Sequence, residues 1–145
     1  MTLIDVLKKH RYETKMILGG DHTNFYSLRK FYGEVDEYYD GAMEKKYFFN
    51  DDELVLNKTQ QLPNWNANPI YLQFHLMSAH TLGKHHEKFN IFKPSKSYAG
   101  HMEGDADHRY TNHYDNGLVQ TDYYIQQLLN TLQEKNYLKN SLVII

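Results

Sequence analysis

The sequence predicts an α/β protein with a mostly parallel sheet, and three observations carry that prediction. The chain opens with an amphipathic helix that leads directly into a strand. Residues 70–77 form an apolar run with the length and composition of a buried strand. Residues 118–132 have helical spacing and lead into the apolar segment 141–145, and such a strand, crossover helix and strand form a right-handed parallel unit by default. A chain of 145 residues is expected to form one domain.

The first half of the chain alternates between helix and strand signals. Thr2 and Asp5 form an approximate capping box, which predicts a helix that starts after Thr2. The carboxylates at 51–53 mark another helix start, because negative charge is stabilised at the positive end of the helix dipole. In chain order, the pattern predicts a helix over 2–10, a strand over 13–18, a short helix over 24–32, an extended segment over 35–40 and a helix from 50–53 to about 61.

The clearest strand is the segment 70–77. Apolar residues occupy most positions on both of its faces, which predicts a central strand covered on both sides by helices. The loop 78–83 follows the strand directly. In open α/β sheets, ligands bind at the loops that follow the carboxyl ends of the strands. This loop is therefore the first place where a site is expected.

The second half of the chain contains a polar excursion and the strongest helix. Residues 84–109 are polar and irregular, and surface loops of this length usually have a functional reason. The last five residues, 141–145, are interpreted as a buried strand, so the chain is expected to end where a functional loop begins. The helix between these segments has one apolar face, formed by Leu118, Ile125, Leu129 and Leu132.

The composition excludes several classes of protein. The net charge of −2 provides no basic field that would attract nucleic acid. The absence of cysteine excludes a disulfide framework, a cysteine zinc site and a thiol nucleophile. No apolar run approaches the length of a membrane span, and the first ten residues are interpreted as a helix rather than a signal peptide. The sequence assigns no cellular location.

The histidines supply the candidate site residues. His80 lies on the loop after the 70–77 strand, among small residues that leave room for a ligand. His85 and His86 follow in the same stretch. Adjacent side chains do not converge easily on one ion, and no HExxH spacing is present, so no metal ligand is assigned. Contact with a substrate and simple exposure of a histidine-rich loop both remain open for these residues.

Asp122 falls on the apolar face of the last helix, between Leu118 and Ile125. A carboxylate that faces a core must be paired or hydrogen-bonded, because burying it alone is costly. We therefore expect Asp122 to anchor a neighbouring loop through backbone N–H groups, with direct catalysis as the alternative. The segment 19–22 (Gly-Gly-Asp-His) lacks the Lys-Ser/Thr pair of a phosphate-binding loop and is interpreted as a turn.

Four segments, in order, resemble the sulfatases and their relatives, the lipoteichoic acid synthases and phosphoethanolamine transferases, within the alkaline-phosphatase-like fold. Residues 2–14 resemble the family's "L-x-x-x-G-Y-x-T" helix and strand, although Arg11 stands where the glycine is usual. Residues 19–21 resemble the glycine pair that follows. The strand and loop 70–81, ending Ser78-Ala79-His80-Thr81, resemble the "S-x-H" loop. Residues 114–122 resemble the "Y-x-N-x-x-x-x-x-D" helix.

This resemblance implies a partial alkaline-phosphatase-like α/β/α sandwich over residues 1–145, a single and incomplete sulfatase-like domain. In the family, the nucleophile precedes the segment that starts at Thr2, and an Asp-His-Gly metal motif follows the strand that corresponds to 141–145. The resemblance therefore implies a divalent metal (Zn, Mn, Ca or Mg) in the full-length parent and none in this fragment. It implies that His80 hydrogen-bonds sulfate or phosphate oxygens, with His85 and His86 within reach of the same head group. No residue is assigned as catalytic.

Three functional hypotheses remain open at this stage. The first is a fragment of a metal-dependent sulfuric-ester hydrolase or of a phosphoethanolamine/phosphoglycerol transferase, inactive alone, whose parent acts on a small anionic ester or lipid head group. The parent would then be membrane-anchored or extracytoplasmic. The second is a non-catalytic α/β module that binds an anion or a metal through its histidine-rich loop. The third is a purely structural subdomain. Self-association through exposed sheet or helix surfaces is expected in each case, because an open sheet edge invites pairing.

Overall fold

The computed structural model describes residues 1–43, 50–97 and 104–145. The predicted histidine-rich excursion is described except for 98–103, so His101 lies outside the described residues. Short 3-10 helices occur at Leu28–Phe31, Gly41–Met43 and Glu87–Phe89. The regular elements are α1 (Leu3–Lys9), β1 (Glu13–Leu18), β2 (Glu37–Tyr39), α2 (Asp52–Gln60), β3 (Ile70–His75) and α3 (Arg109–Glu134).

The three strands form one parallel sheet in the order β2-β1-β3. β1 pairs with β3 from Glu13 opposite Ile70 to Leu18 opposite His75. β1 is therefore the central strand, and its residues 14–18 are buried. The prediction of a central position for β3 is wrong within the described residues, where β3 forms one edge and is half-buried over 70–74. Apolar residues on both faces of β3 indicate that helices pack above and below it. They do not determine its position in the sheet, which depends on strand pairing.

Helices cover both faces of this sheet. Because successive side chains of a strand point to opposite faces, Ile17 of β1 packs with Val55 of α2 and Leu128 of α3. Met16 and Leu18 point the other way and pack against α1. The molecule thus has three layers, α/β/α, and the predicted α/β class with a parallel sheet is confirmed.

The predicted helix starts are also confirmed. The Thr2 hydroxyl accepts a hydrogen bond from the Asp5 N–H at 3.2 Å, and the Asp5 carboxylate accepts one from the Thr2 N–H at 2.6 Å. Asp51 caps α2 by accepting from the Glu53 N–H at 3.1 Å. Arg11 follows α1 with φ 63, a left-handed conformation that favours glycine. This conformation explains why a glycine is usual at that position of the family motif.

Two predicted elements differ from the structure. Over 24–32 only the 3-10 turn Leu28–Phe31 forms, because Tyr26 and Ser27 have φ of 48 and 54 and cannot continue a right-handed helix. The segment 141–145 is not a buried strand: it pairs with none of the described strands, and Ile144 and Ile145 are 84% and 86% exposed. An apolar run becomes a strand only where a neighbouring strand satisfies its backbone groups. Whether these side chains support self-association stays a prediction.

The buried face of α3 also differs from the predicted one. Asp122 is exposed and Leu118 is 43% exposed, so Asp122 does not face the core, and it anchors no loop among the residues that the structure describes. The sequence pattern counted only large apolar residues, whereas the first half of the buried face carries small or polar ones. The described residues of α3 that are buried are Tyr110, Asn116, Gly117, Gln120, Tyr124, Leu128, Thr131 and Leu132. Within the described residues, no helix combines the length and the apolar character that a membrane span requires.

Candidate anion-binding site

The loop that follows β3 lies at the carboxyl edge of the sheet. Because β1, β2 and β3 are parallel, the segments that follow them emerge at this same edge. They are the Gly19-Gly20 turn after β1, Asp40 after β2, and residues 76–86 after β3. The Gly19 N–H donates to the His75 carbonyl at 2.7 Å and ties the first of these segments to the third.

His80 lies exposed on this loop, within two consecutive turns. Its own N–H donates to the Met77 carbonyl at 2.9 Å, and its carbonyl accepts from the Gly83 N–H at 2.8 Å. The Leu82 N–H donates to His80 Nδ1 at 3.1 Å. This contact requires a lone pair on Nδ1, so in the neutral ring the proton is assigned to Nε2. The ring therefore presents an N–H donor through Nε2.

The carboxylate of Asp52, the first residue of α2, holds the start of the loop. Asp52 is fully buried and accepts hydrogen bonds from the Met77 N–H at 2.6 Å and the Ser78 N–H at 2.8 Å. The Ser78 hydroxyl also donates to it. Burial raises the pKa of the Asp52 carboxyl, while these donors oppose the increase. The sequence reasoning placed Asp52 at a helix start but missed this second role, because the contact joins residues that are distant in the chain.

His85 is turned toward its own loop. Its Nε2 lies 2.7 Å from the Ser78 carbonyl oxygen, and because a carbonyl can only accept, Nε2 carries the proton. The ring stacks on His113 of α3 with 3.8 Å between ring centroids and 10° between planes. Burial lowers the pKa of both rings. The lowered pKa favours the neutral form of His85, and one of its nitrogens is already hydrogen-bonded.

His86 faces a third direction, toward the start of α2. Its Nε2 lies 2.9 Å from Asp51 Oδ1, and Lys84 Nζ lies 2.6 Å from Asp51 Oδ2. Burial alone would raise the pKa of Asp51, but the hydrogen bonds from Lys84 and His86 outweigh it and hold this pKa below its usual value. The structure thus brings His80, His85 and His86 onto one loop, with a different set of contacts for each ring.

Among the described residues, Asp51, Glu53 and His86 offer ligand atoms that all lie within 4.8 Å of one another. Carboxylate oxygen and imidazole nitrogen are ligand types that divalent cations accept, so the group is consistent with a divalent metal in the parent. However, Asp51 already pairs with the Lys84 ammonium, and a metal ion on that carboxylate would have to compete with it. In this structure the contacts present are therefore those of an ion-pair cluster.

Two glycines permit close backbone contacts at the loop. Gly117 lets α3 approach the loop, and Gly83 lets two parts of the loop approach each other. A Cβ on Gly117 would lie 2.4 Å from the Ser78 carbonyl oxygen, and a Cβ on Gly83 would lie 1.9 Å from the Met77 carbonyl oxygen. Both distances are far below van der Waals contact, so a side chain at either position would displace the loop. Gly117 belongs to the segment that resembles a family motif, and its close contact with Ser78 gives that glycine a physical reason.

A second polar cluster occupies the same edge, beside β1. His22 Nε2 lies 3.0 Å from His75 Nδ1, and His22 Nδ1 lies 2.5 Å from the Tyr32 hydroxyl. Burial lowers the pKa of His22. The buried Asp40 accepts hydrogen bonds from the N–H and the hydroxyl of Thr23 at 2.8 and 2.7 Å. The sequence reasoning did not select these residues, although a histidine two residues after the Gly19-Gly20 pair was a usable signal.

A parallel sheet between two helical layers, with a histidine loop at its carboxyl edge, defines part of an alkaline-phosphatase-like α/β domain. The profile of the Sulfatase family matches residues 1–145, and the chain therefore belongs to the Sulfatase family. This result confirms the resemblance found in the sequence motifs. No curated protein matches the chain.

The fold is similar to that of three solved structures. The C-terminal periplasmic domain of EcEptC from Escherichia coli is 19% identical with a TM-score of 0.70, and the match covers 94% of this chain and 39% of that one. Its complex with Zn gives 19% identity and a TM-score of 0.69, covering 94% and 40%. The C-terminal periplasmic domain of phosphoethanolamine transferase EptC from Campylobacter jejuni is 18% identical with a TM-score of 0.62, and the match covers 92% of this chain and 41% of that one. The chain thus spans about two fifths of the length of these structures.

Proposed function

We propose that this chain is part of a metal-dependent enzyme that hydrolyses sulfuric esters or transfers phosphoethanolamine or phosphoglycerol, and that it is inactive alone. Its role in that enzyme is to bind the sulfate or phosphate group through His80. The observation that carries the proposal is the hydrogen bond at one nitrogen of the exposed His80 ring. The Leu82 N–H occupies Nδ1, which leaves an exposed Nε2–H donor at the carboxyl edge of the sheet.

Such a donor suits the chemistry of sulfuryl and phosphoryl transfer. The protein contributes to these reactions mainly by positioning the group and by neutralising charge on its oxygens. An imidazole N–H that is already oriented gains a hydrogen bond to an anion without paying to order its own ring. We propose that His85 and His86 support the same loop: His85 through its bond to the Ser78 carbonyl, and His86 through Asp51.

The metal and the nucleophile of this proposal are assigned to parts of the domain outside this chain. This assignment rests on the family resemblance and on the coverage of about two fifths of the similar structures. Because the Asp51 carboxylate already pairs with Lys84, no reaction step is assigned to a metal at that cluster. The fold similarity to phosphoethanolamine transferase domains favours a phosphate ester or lipid head group as the substrate class.

An anion titration followed by NMR tests the role of His80. We expect inorganic phosphate and inorganic sulfate to shift the ring signals of His80 in a saturable way, and the His80→Ala variant to lose saturable binding. His10 provides a matched control, since it is also exposed but precedes β1 and so lies toward the opposite edge of the sheet. Equal shifts at His10 and His80, or unchanged binding in His80→Ala, would overturn the assignment.

The inactivity of the chain is tested separately with p-nitrophenyl phosphate and p-nitrophenyl sulfate. We expect no turnover above background, because the nucleophile is assigned elsewhere in the domain. Turnover by the purified chain that disappears in His80→Ala would contradict this part of the proposal.

A second candidate function is a non-catalytic module that binds a metal. The observation that favours it is the grouping of Asp51, Glu53 and His86. Calorimetric titration with zinc distinguishes the two functions. Tight binding that is lost in His86→Ala and kept in His80→Ala would support the metal-binding module.

A further inference from the structure

The side chain of Gln120, on the buried face of α3, is fully buried. Its Nε2 donates to the Ser78 hydroxyl oxygen at 2.6 Å and to the Lys84 carbonyl oxygen at 2.7 Å. Its Oε1 accepts from the His86 N–H at 2.8 Å. These partners also fix the orientation of the amide, because a carbonyl can only accept and a backbone N–H can only donate.

The three partners lie at the two ends of one loop. Ser78 lies shortly after the end of β3, and Lys84 and His86 are where the loop ends, with His80 between them. One side chain therefore joins both ends of the segment that carries His80. The Nε2 of His85 closes the same loop by its bond to the Ser78 carbonyl. The side chains of Gln120 and His85 thus fix the separation of the two ends of the loop.

The hydrogen bonds run in one direction through the Ser78 hydroxyl. Gln120 Nε2–H donates to the Ser78 oxygen, and the Ser78 hydroxyl proton is donated to the Asp52 carboxylate. Each bond in such a chain polarises the next, and burial increases the cost of breaking any of them. The loop is therefore connected to α3 through Gln120 and to α2 through Asp52.

We propose that Gln120 is a positioning residue that sets the geometry of the His80 loop for anion binding. The inference rests on the proposed function, because it takes the presentation of His80 as the purpose of the loop. Only a primary amide supplies two donors and one acceptor at this place. A carboxylate of the same length would face the Lys84 carbonyl with an acceptor, and a methionine would remove all three bonds that Gln120 makes.

Asn116 provides the matched control within the same helix. It is also a buried amide, four residues from Gln120, and it is equally well hydrogen-bonded. Its Oδ1 accepts from the Ile91 and Phe92 N–H groups at 3.0 and 2.9 Å, and its Nδ2 donates to the Phe92 carbonyl at 2.9 Å. It therefore anchors a different segment of the chain. Substitution of Asn116 reports the general cost of removing a buried amide from α3.

The experiment compares imidazole ¹⁵N spectra and phosphate titrations of the chain with those of Gln120→Met and Asn116→Leu. In the unsubstituted chain we expect His80 to show an unprotonated Nδ1 and a protonated Nε2 at pH 7.5. In Gln120→Met we expect the two nitrogens of His80 to move toward the averaged signals of a free imidazole. We expect phosphate affinity to fall by about tenfold, as for the loss of one hydrogen bond to a charged group. Asn116→Leu should leave both readouts unchanged.

The possible results separate the two proposals. Unchanged His80 signals in Gln120→Met, or equal changes in Asn116→Leu, overturn the role of Gln120 while leaving phosphate binding by His80 intact. If the unsubstituted chain binds no phosphate, the proposed function fails, and the ¹⁵N spectra alone decide the role of Gln120. If Gln120→Met does not fold, Gln120→Asn is used, because it keeps the amide but is one methylene too short to reach both ends of the loop. Unchanged His80 signals in that variant overturn the proposal as well.

Discussion

The contact between Gly117 and the loop leads to a quantitative prediction for Gly117→Ala. The added Cβ would lie 2.4 Å from the Ser78 carbonyl oxygen and 3.1 Å from His85 Nε2. Since carbon and oxygen atoms normally come no closer than about 3.3 Å, helix and loop must separate by about 1 Å. Such overpacking costs about 1–3 kcal/mol. Weakening the bond between His85 and Ser78 costs about 1 kcal/mol more.

One favourable effect opposes this cost. Alanine within a helix is about 1 kcal/mol better than glycine, so we expect a net loss of about 1–3 kcal/mol in the free energy of unfolding. Urea denaturation measures it: with a slope of about 1.5 kcal/mol per molar, a loss of 2 kcal/mol lowers the midpoint by about 1.3 M. The ring ¹⁵N signals of His85 should change as well. The exposed residue Asp122 of the same helix is the control, and Asp122→Ala should alter stability by no more than about 0.5 kcal/mol.

Two results would refute this reasoning. If Gly117→Ala is as stable as the unsubstituted chain and leaves the His85 signals in place, then α3 does not approach the loop as described. If Asp122→Ala is as destabilising as Gly117→Ala, then the buried face of α3 is the one that the apolar pattern predicted. The first result concerns the distance between helix and loop, and the second concerns the rotation of the helix about its axis.

Two further predictions concern charge and protonation. Asp52→Ala leaves the Met77 and Ser78 N–H groups without a buried acceptor. We therefore expect the free energy of unfolding, measured by urea denaturation, to fall by about 3 kcal/mol or more. An unchanged midpoint would show that water replaces the carboxylate. Burial lowers the pKa of His22, His85 and His113 below the 6.5 of a free imidazole, so the unfolded chain binds more protons than the folded one below that pH. Stability should therefore fall as the pH drops below 6.5, at up to about 1.4 kcal/mol per pH unit for each ring, and His113→Phe should flatten that slope. An identical slope in His113→Phe would mean that His113 titrates alike in both states.

The site shows which inferences were within reach of sequence reasoning. His80 could be selected because a strand of buried type precedes it by only a few residues, and local order places such a loop at the sheet edge. Asp52 and Gln120 could not be selected, since they lie 26 and 42 residues from Ser78, the residue that they hold. Polar residues at these positions look like an ordinary helix start and an ordinary helix surface. Their role appears only when three elements meet.

The sequence by itself determined the α/β class, the capped starts of α1 and α2, the strands β1 and β3, and the position of His80, because capping, periodicity and strand-to-loop order are local properties. The tertiary structure alone decided that β1 is the central strand, that Asp122 faces solvent while Asn116 and Gln120 are buried, and that the tail at 141–145 is exposed. These outcomes depend on which surfaces meet. Partners distant in the chain fix strand order and helix rotation, and a hydrophobic pattern records that a residue is apolar without recording what packs against it.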